Sequence, residues 1–232
     1  MYFGLDPLYM MMMVPVFLLS MFASFKVKSA FKKYSNVYIR SGLTGAEVAR
    51  KILDQNGLQD VGVMETGGFL SDHYDPSKRV VRLSPDVYRN ATVSAVGVAA
   101  HETGHAIQHK QLYRPLILRN MMVPVASIGS NFAWIVIMAG FFIGALGLVK
   151  VGVALFSVVV FFQIITLPVE FNASSRAKKI LESTGMVSGG EIAGVRNVLS
   201  AAAMTYVAAA TSSIITLLYF LMKAGLLGGR DD

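Results

Sequence analysis

The feature that most constrains this chain is a series of long stretches without a charged side chain. Residues 8–25, LYMMMMVPVFLLSMFASF, form the first. About 18–20 such residues are needed for a helix to cross roughly 30 Å of hydrocarbon. Residues 121–149 are also uncharged, Lys150 follows, and 151–167 are uncharged again. That run is too long for one crossing, so two helices are expected, split at "VKVG" by a tight hairpin. Residues 198–222 make the fourth uncharged run. The expected architecture is a mainly α, multi-pass protein of the cell membrane. Its four transmembrane helices fall at 1–25, 121–149, 151–169 and 198–222. The first is expected to be an uncleaved anchor, because Asp6 is the only charge before Lys26 and no small-residue cleavage site closes the run.

Residues 26–120 have the composition of a soluble lobe and carry 14 of the 21 Lys and Arg. "SGLTGAEVARKILDQNGL" predicts an amphipathic helix. Thr44 and Glu47 have capping-box spacing, apolar residues recur at 48, 49, 52 and 53, and Gly57 is placed to stop it. "GGFLSDHYDPSKRVVRLS" predicts a hairpin turning at Asp75-Pro76-Ser77-Lys78. "KRVVRLS" is open to two readings, a structural hairpin strand or a sheet edge that binds an extended substrate. The stretch 84–113 predicts helix with a break near Asn90. The fold class is therefore four membrane helices with a small α+β lobe, and a second polar segment at 170–197.

The formal net charge is +7. In a membrane protein this points first to loops beside anionic lipid, and there is no basic stripe with interleaved aromatics to suggest a nucleic-acid partner. Without cysteine, disulfides and thiolate metal sites are excluded. Lys26, Lys28, Lys32 and Lys33 follow the first span; Lys110, Arg114 and Arg119 precede the second; Arg176, Lys178 and Lys179 follow the third. This bias predicts a cytoplasmic location for 26–120 and 168–197, with both termini outside. Two crossings separate these segments, so they are expected on the same side of the membrane.

Three of the four histidines fall within residues 101–109. His101, Glu102 and His105 form H-E-x-x-H. On a helix, residues four apart share a face, so both imidazoles can grip one ion from successive turns. Two neutral nitrogens suit Zn²⁺. Glu102 projects beside them, placed to take a proton from the activated water as general base. Small neighbours (Ala99, Ala100, Gly104, Ala106) suit a closely packed metal helix. His109 lies about 12 Å along the axis from His101, too far to share its ion on a straight helix; it is expected to be a polar or outer-sphere residue, and His73 a turn residue. Glu170, where the third span emerges, is the expected third ligand, since a carboxylate at a membrane boundary is costly unless partnered. Arg176, further along that helix, is placed to stabilise an oxyanion or pair with a carboxylate. Tyr206 is expected to pack the helix bundle.

Residues "AAHETGHAIQH" and "LPVEFNASSRA" together resemble the YugP-type membrane zinc metallopeptidases of bacteria, and more distantly the HtpX and CAAX-prenyl-protease gluzincins. The resemblance extends to "TGAEVARKILDQNGL", "LSDHYDPSKRVVRLSPDVY" and "AAAMTYVAAA". It implies a gluzincin-like lobe carrying the H-E-x-x-H helix, with zinc held by His101, His105 and the Glu of an E-x-x-A-D motif. That Glu maps onto Glu170 and the motif alanine onto Ala173. The motif Asp is Ser174 here, which leaves Ser174 as an outer-sphere hydrogen-bonding candidate beside the first histidine. The function expected is zinc-dependent hydrolysis of peptide bonds in membrane proteins or peptides at the cytoplasmic surface. Two other classes stay open on the residues: a non-catalytic membrane metal-binding or metal-handling protein, and a membrane scaffold. Glu102 separates the first from an enzyme, because a structural or transport site has no need of a base there.

Overall fold

The computed structural model describes residues 6–227. Helices α1 (Pro7–Tyr34) and α2 (Gly45–Gln55) come first, followed by strands β1 (Gly62–Glu65), β2 (His73–Asp75) and β3 (Val80–Leu83). Helices α3 (Pro85–Arg89), α4 (Val93–Lys110), α5 (Arg114–Phe142), α6 (Leu146–Ser183) and α7 (Gly189–Lys223) complete the order. Residues 1–5 of the expected first span lie outside the described residues.

Among the described residues four helices, α1, α5, α6 and α7, are long and apolar enough to cross a membrane. Only between 11% and 33% of the residues in their apolar windows are buried. Met11, Phe17, Met121, Ile135 and Phe142 are all more than half exposed. Apolar surface on this scale is a liability in water and is matched by lipid. The protein is therefore mainly helical and membrane-embedded, with a small three-stranded sheet.

The chain forms two compact units. The first comprises the described parts of Met1–Ala23, Leu118–Pro168 and Thr205–Asp232. Its core joins Ala133, Ile137, Val149, Val153, Phe156, Tyr219 and Phe220. The Asp6 carboxylate accepts a hydrogen bond from Tyr219 Oη and pairs with Lys223, which ties the start of α1 to the end of α7.

The second unit comprises Ser24–Ile117 and Val169–Met204. Its core draws Val48, Ile52 and Leu53 from α2, Val81 and Leu83 from β3, Val96, Ala99 and Ala100 from α4, and Ala177 and Leu181 from α6. The capping box on α2 forms as the spacing predicts: Thr44 Oγ1 accepts from Glu47 N, and Glu47 Oε2 accepts from Thr44 N at 2.8 Å. The Asp75 turn also forms, with Asp75 Oδ1 accepting from the amides of Ser77 and Lys78. The helical stretch breaks at Asn90, and Thr92 caps α4 by accepting from Ala95 N.

Three features differ from the sequence expectation. The tight turn falls at 143–145, before rather than after Leu146, so Lys150 lies inside α6. Gly144, at φ 69°, supplies the left-handed residue that reverses the chain there. Polar residues 170–197 are not a separate segment: α6 continues through Pro168 to Ser183, and α7 begins at Gly189. Finally, β3 is the central strand, paired in parallel with β1 and antiparallel with β2. "KRVVRLS" therefore cannot be a free sheet edge, because both its hydrogen-bonding sides are taken. Strand β1 carried too short a pattern, "GVME", to be legible.

Candidate metal centre

Helix α4 owes its position to small side chains. Ala95, Ala99, Ala100 and Ala106 are fully buried, and Gly104 sits against α6. A β-carbon at Gly104 would lie 2.9 Å from the carbonyl oxygen of Ala173 and 3.3 Å from its Cα. Glycine thus permits a backbone-to-backbone approach that brings α4 and α6 together at the level of Glu170. Gly104→Ala is expected to lower stability by about 1–3 kcal/mol through overpacking, because backbone atoms cannot yield as a side chain can. Gly97→Ala is the control, since the atoms nearest its β-carbon belong to the Val195 side chain, from 3.3 Å, and not to a backbone. Denaturation midpoints of both variants check this; a wild-type midpoint in Gly104→Ala would contradict it.

Across that contact, His101, His105 and Glu170 converge, each offering a ligand atom within 4.8 Å of the others. Glu170 Oε2 lies 3.2 Å from His101 Nε2 and 3.6 Å from His105 Nε2. A tetrahedral centre with bonds of about 2.1 Å has ligand–ligand edges of about 3.4 Å. The two separations bracket that edge, so the donor set of two imidazoles and one carboxylate fits a zinc ion. Glu170 is only 2% exposed, where a carboxylate needs a cationic or metal partner. Burial disfavours the His105 imidazolium, but the Glu170 carboxylate at 3.6 Å and the charge of Glu102 outweigh it and hold its pKa above the usual histidine value.

The remaining ring nitrogens have their own partners. His101 Nδ1 is 3.1 Å from Ser174 Oγ, one turn beyond Glu170 on α6. His105 Nδ1 is 3.0 Å from Gln108 Oε1. Gln108 Nε2 donates to Val169 O at 2.8 Å and to Asn172 Oδ1 at 3.0 Å. Arg176 Nε donates to that same Asn172 oxygen at 2.6 Å, while Arg176 Nη1 donates to Gln111 Oε1 at 2.6 Å. Arg176 thus bridges α6 to the end of α4.

Glu102 is buried in α4, and its charge acts on both His105 and Asp72. Burial pushes the Asp72 carboxyl up, hydrogen bonds from the amide and hydroxyl of Ser84 pull it down, and Glu102 adds to the rise. His109 lies outside the ligand cluster; its Nδ1 is 2.9 Å from Tyr74 Oη of β2. Burial raises the Tyr74 phenol pKa. His73 is exposed, with Nδ1 2.8 Å from its neighbour Ser71 O.

Sequence reasoning did not single out Gln108, Asn172, Asp72 or Tyr74. A signal existed for Gln108, which follows His105 by three residues and so shares its helical face. Asn172 likewise precedes Arg176 by one helical turn, whereas Asp72 and Tyr74 find their partners Ser84 and His109 12 and 35 residues away.

A family model described as "Putative neutral zinc metallopeptidase" matches residues 9–225. "Putative membrane protease YugP" of Bacillus subtilis (strain 168) is 55% identical over 214 residues, covering 92% of this chain and 94% of that protein. No solved structure matches the chain.

Proposed function

The chain belongs to this zinc metallopeptidase family, and from that premise we propose that it is an integral-membrane zinc metalloprotease of gluzincin type whose H-E-x-x-H helix is α4. The observation that carries the reading is the cluster of half-buried His101 with buried His105 and Glu170, with Glu102 on the helix between the two histidines. His101, His105 and Glu170 would hold the metal. A zinc ion there supplies Lewis-acid polarisation of a scissile carbonyl and makes hydroxide accessible near neutral pH.

The chain's own residues do the rest. Glu102 accepts the proton of the attacking water and delivers it to the departing amine. Gln108 and Ser174 orient the two imidazoles from their outer nitrogens. Arg176 contributes by fixing Asn172 and Gln111 rather than by touching substrate. The lobe of residues 26–120 is proposed to face the cytoplasm, supported by the Lys and Arg flanking the spans. Substrates are proposed to be membrane proteins or peptides that reach this surface.

The reading is tested by purifying the full chain in detergent and following cleavage of an unstructured casein. Chelation is expected to abolish cleavage and zinc to restore it. Cleavage indifferent to chelation, or none by the zinc-loaded protein on any unfolded substrate, would overturn the reading.

A further inference from the structure

We infer that Arg119 holds the phosphate of an anionic phospholipid at the membrane boundary of α5. Helix α5 carries neither a proposed zinc ligand nor Glu102, so this site stands apart from the metallopeptidase reading.

Among the described residues, Arg119 Nε is the one buried side-chain nitrogen or oxygen without a hydrogen-bond partner. None of the ion pairs among those residues includes Arg119. The sequence gives a reason. Between Glu102 and Glu170 there is no Asp or Glu, while Lys110, Arg114, Arg119 and Lys150 all fall in that stretch. Neither α5 nor the part of α6 before Glu170 can therefore supply a counter-charge. A guanidinium stays charged at any physiological pH and can only donate. Leaving it partly buried without a compensating charge is costly. The residue as a whole is half-buried, so one edge of the guanidinium lies against protein and its other end is open. With no acceptor at the buried edge, compensation has to come from outside, at the open end.

The place of Arg119 along α5 says what lies there. From Arg119 to Phe142 the helix runs about 35 Å at 1.5 Å per residue. Residues 121–142 are uncharged. Laid across roughly 30 Å of hydrocarbon, that length puts Arg119 at the level of the lipid phosphates. The paired N–H groups of a guanidinium match two oxygens of one phosphate. Met121 and Val123, two and four residues further into the apolar run, are exposed and offer a surface on which an acyl chain can lie. Arg114 adds a second positive charge at the same end of the helix, which selects an anionic headgroup over a zwitterionic one. A substrate carboxylate fits less well, because the counter-charge is needed whether or not substrate is bound. A component of the membrane itself is always present.

The test uses the full chain in detergent, with dioleoylphosphatidylglycerol, dioleoylphosphatidylcholine and inorganic phosphate as separate additions. Native mass spectrometry counts bound lipid, and the thermal midpoint is followed in parallel. Phosphatidylglycerol is expected to bind and to raise the midpoint, and the other two to do so much more weakly. An equal response to the two lipids, or a full response to inorganic phosphate, overturns the inference. Arg119→Gln should lower phosphatidylglycerol affinity roughly 10-fold. Arg114→Gln removes the same charge from an exposed position on the same helix and should cost less. Wild-type affinity in Arg119→Gln, or equal losses in the two variants, also overturns it. Should Arg119→Gln not fold, Arg119→Lys keeps the charge and gives up the paired donors. It should bind phosphatidylglycerol several-fold more weakly than wild type, and wild-type affinity there counts against the site. None of these readouts involves zinc or hydrolysis, so failure of the metallopeptidase reading leaves them untouched.

Discussion

Glu102→Gln is expected to lower peptide hydrolysis by roughly 10²–10⁴-fold, the contribution typical of a positioned general base. That corresponds to about 3–5 kcal/mol of transition-state stabilisation. Bound zinc should stay at about one equivalent, since the three proposed N/O ligands are untouched. Glutamine has the shape of glutamate but cannot take the proton of water. Glu102 follows His101 directly in α4 and is 9% exposed, so the isosteric change leaves packing intact. The same variant separates the enzyme from a metal-handling protein, in which Glu102 has no proton to carry. Retained hydrolysis with retained zinc would remove Glu102 from the mechanism. Loss of zinc together with activity would assign it to the cage instead.

The second large effect belongs to Glu170. Glu170→Ala should weaken zinc binding by more than the roughly 10–100-fold typical of changes behind the ligands, and hydrolysis should fall with it. Removing the carboxylate takes away a ligand and the negative charge facing both histidines, at 3.2 Å and 3.6 Å from their Nε2 atoms. Glu170→Gln separates these contributions, because it keeps an oxygen donor and the packing at a site 2% exposed, and gives up only the charge. Its affinity should fall between wild type and Glu170→Ala. Metal analysis of the three purified proteins measures this. Stoichiometric, tight zinc in Glu170→Ala would move the third ligand elsewhere.

Much of this site was legible in the chain because its signals are local. His101 and His105 sit one turn apart, so a five-residue motif fixes both. The capping box at Thr44 and the turn at Asp75 are likewise local hydrogen-bond patterns, and both appear in the structure. Glu170 was reachable by a different route, from the cost of a carboxylate beside a long apolar run. What stayed hidden depends on packing between distant segments. Gln108 looks like one more polar residue until Val169 and Asn172, more than sixty residues on, absorb its amide hydrogens. Strand β1 is defined by its parallel pairing with β3, not by its own four residues. The α5–α6 turn was misplaced because Lys150 marks a charge, whereas the chain reverses where Gly144 permits it.

The central claim is one coordination cage built from α4 and α6. Zinc K-edge X-ray absorption of the purified, zinc-loaded protein tests it most directly. The account predicts a shell of nitrogen and oxygen ligands at roughly 2.0–2.2 Å, with the outer-shell scattering of two imidazoles. That scattering should drop to one imidazole in His105→Gln. A zinc environment without imidazole scattering, or one unchanged by the loss of His105, would contradict it.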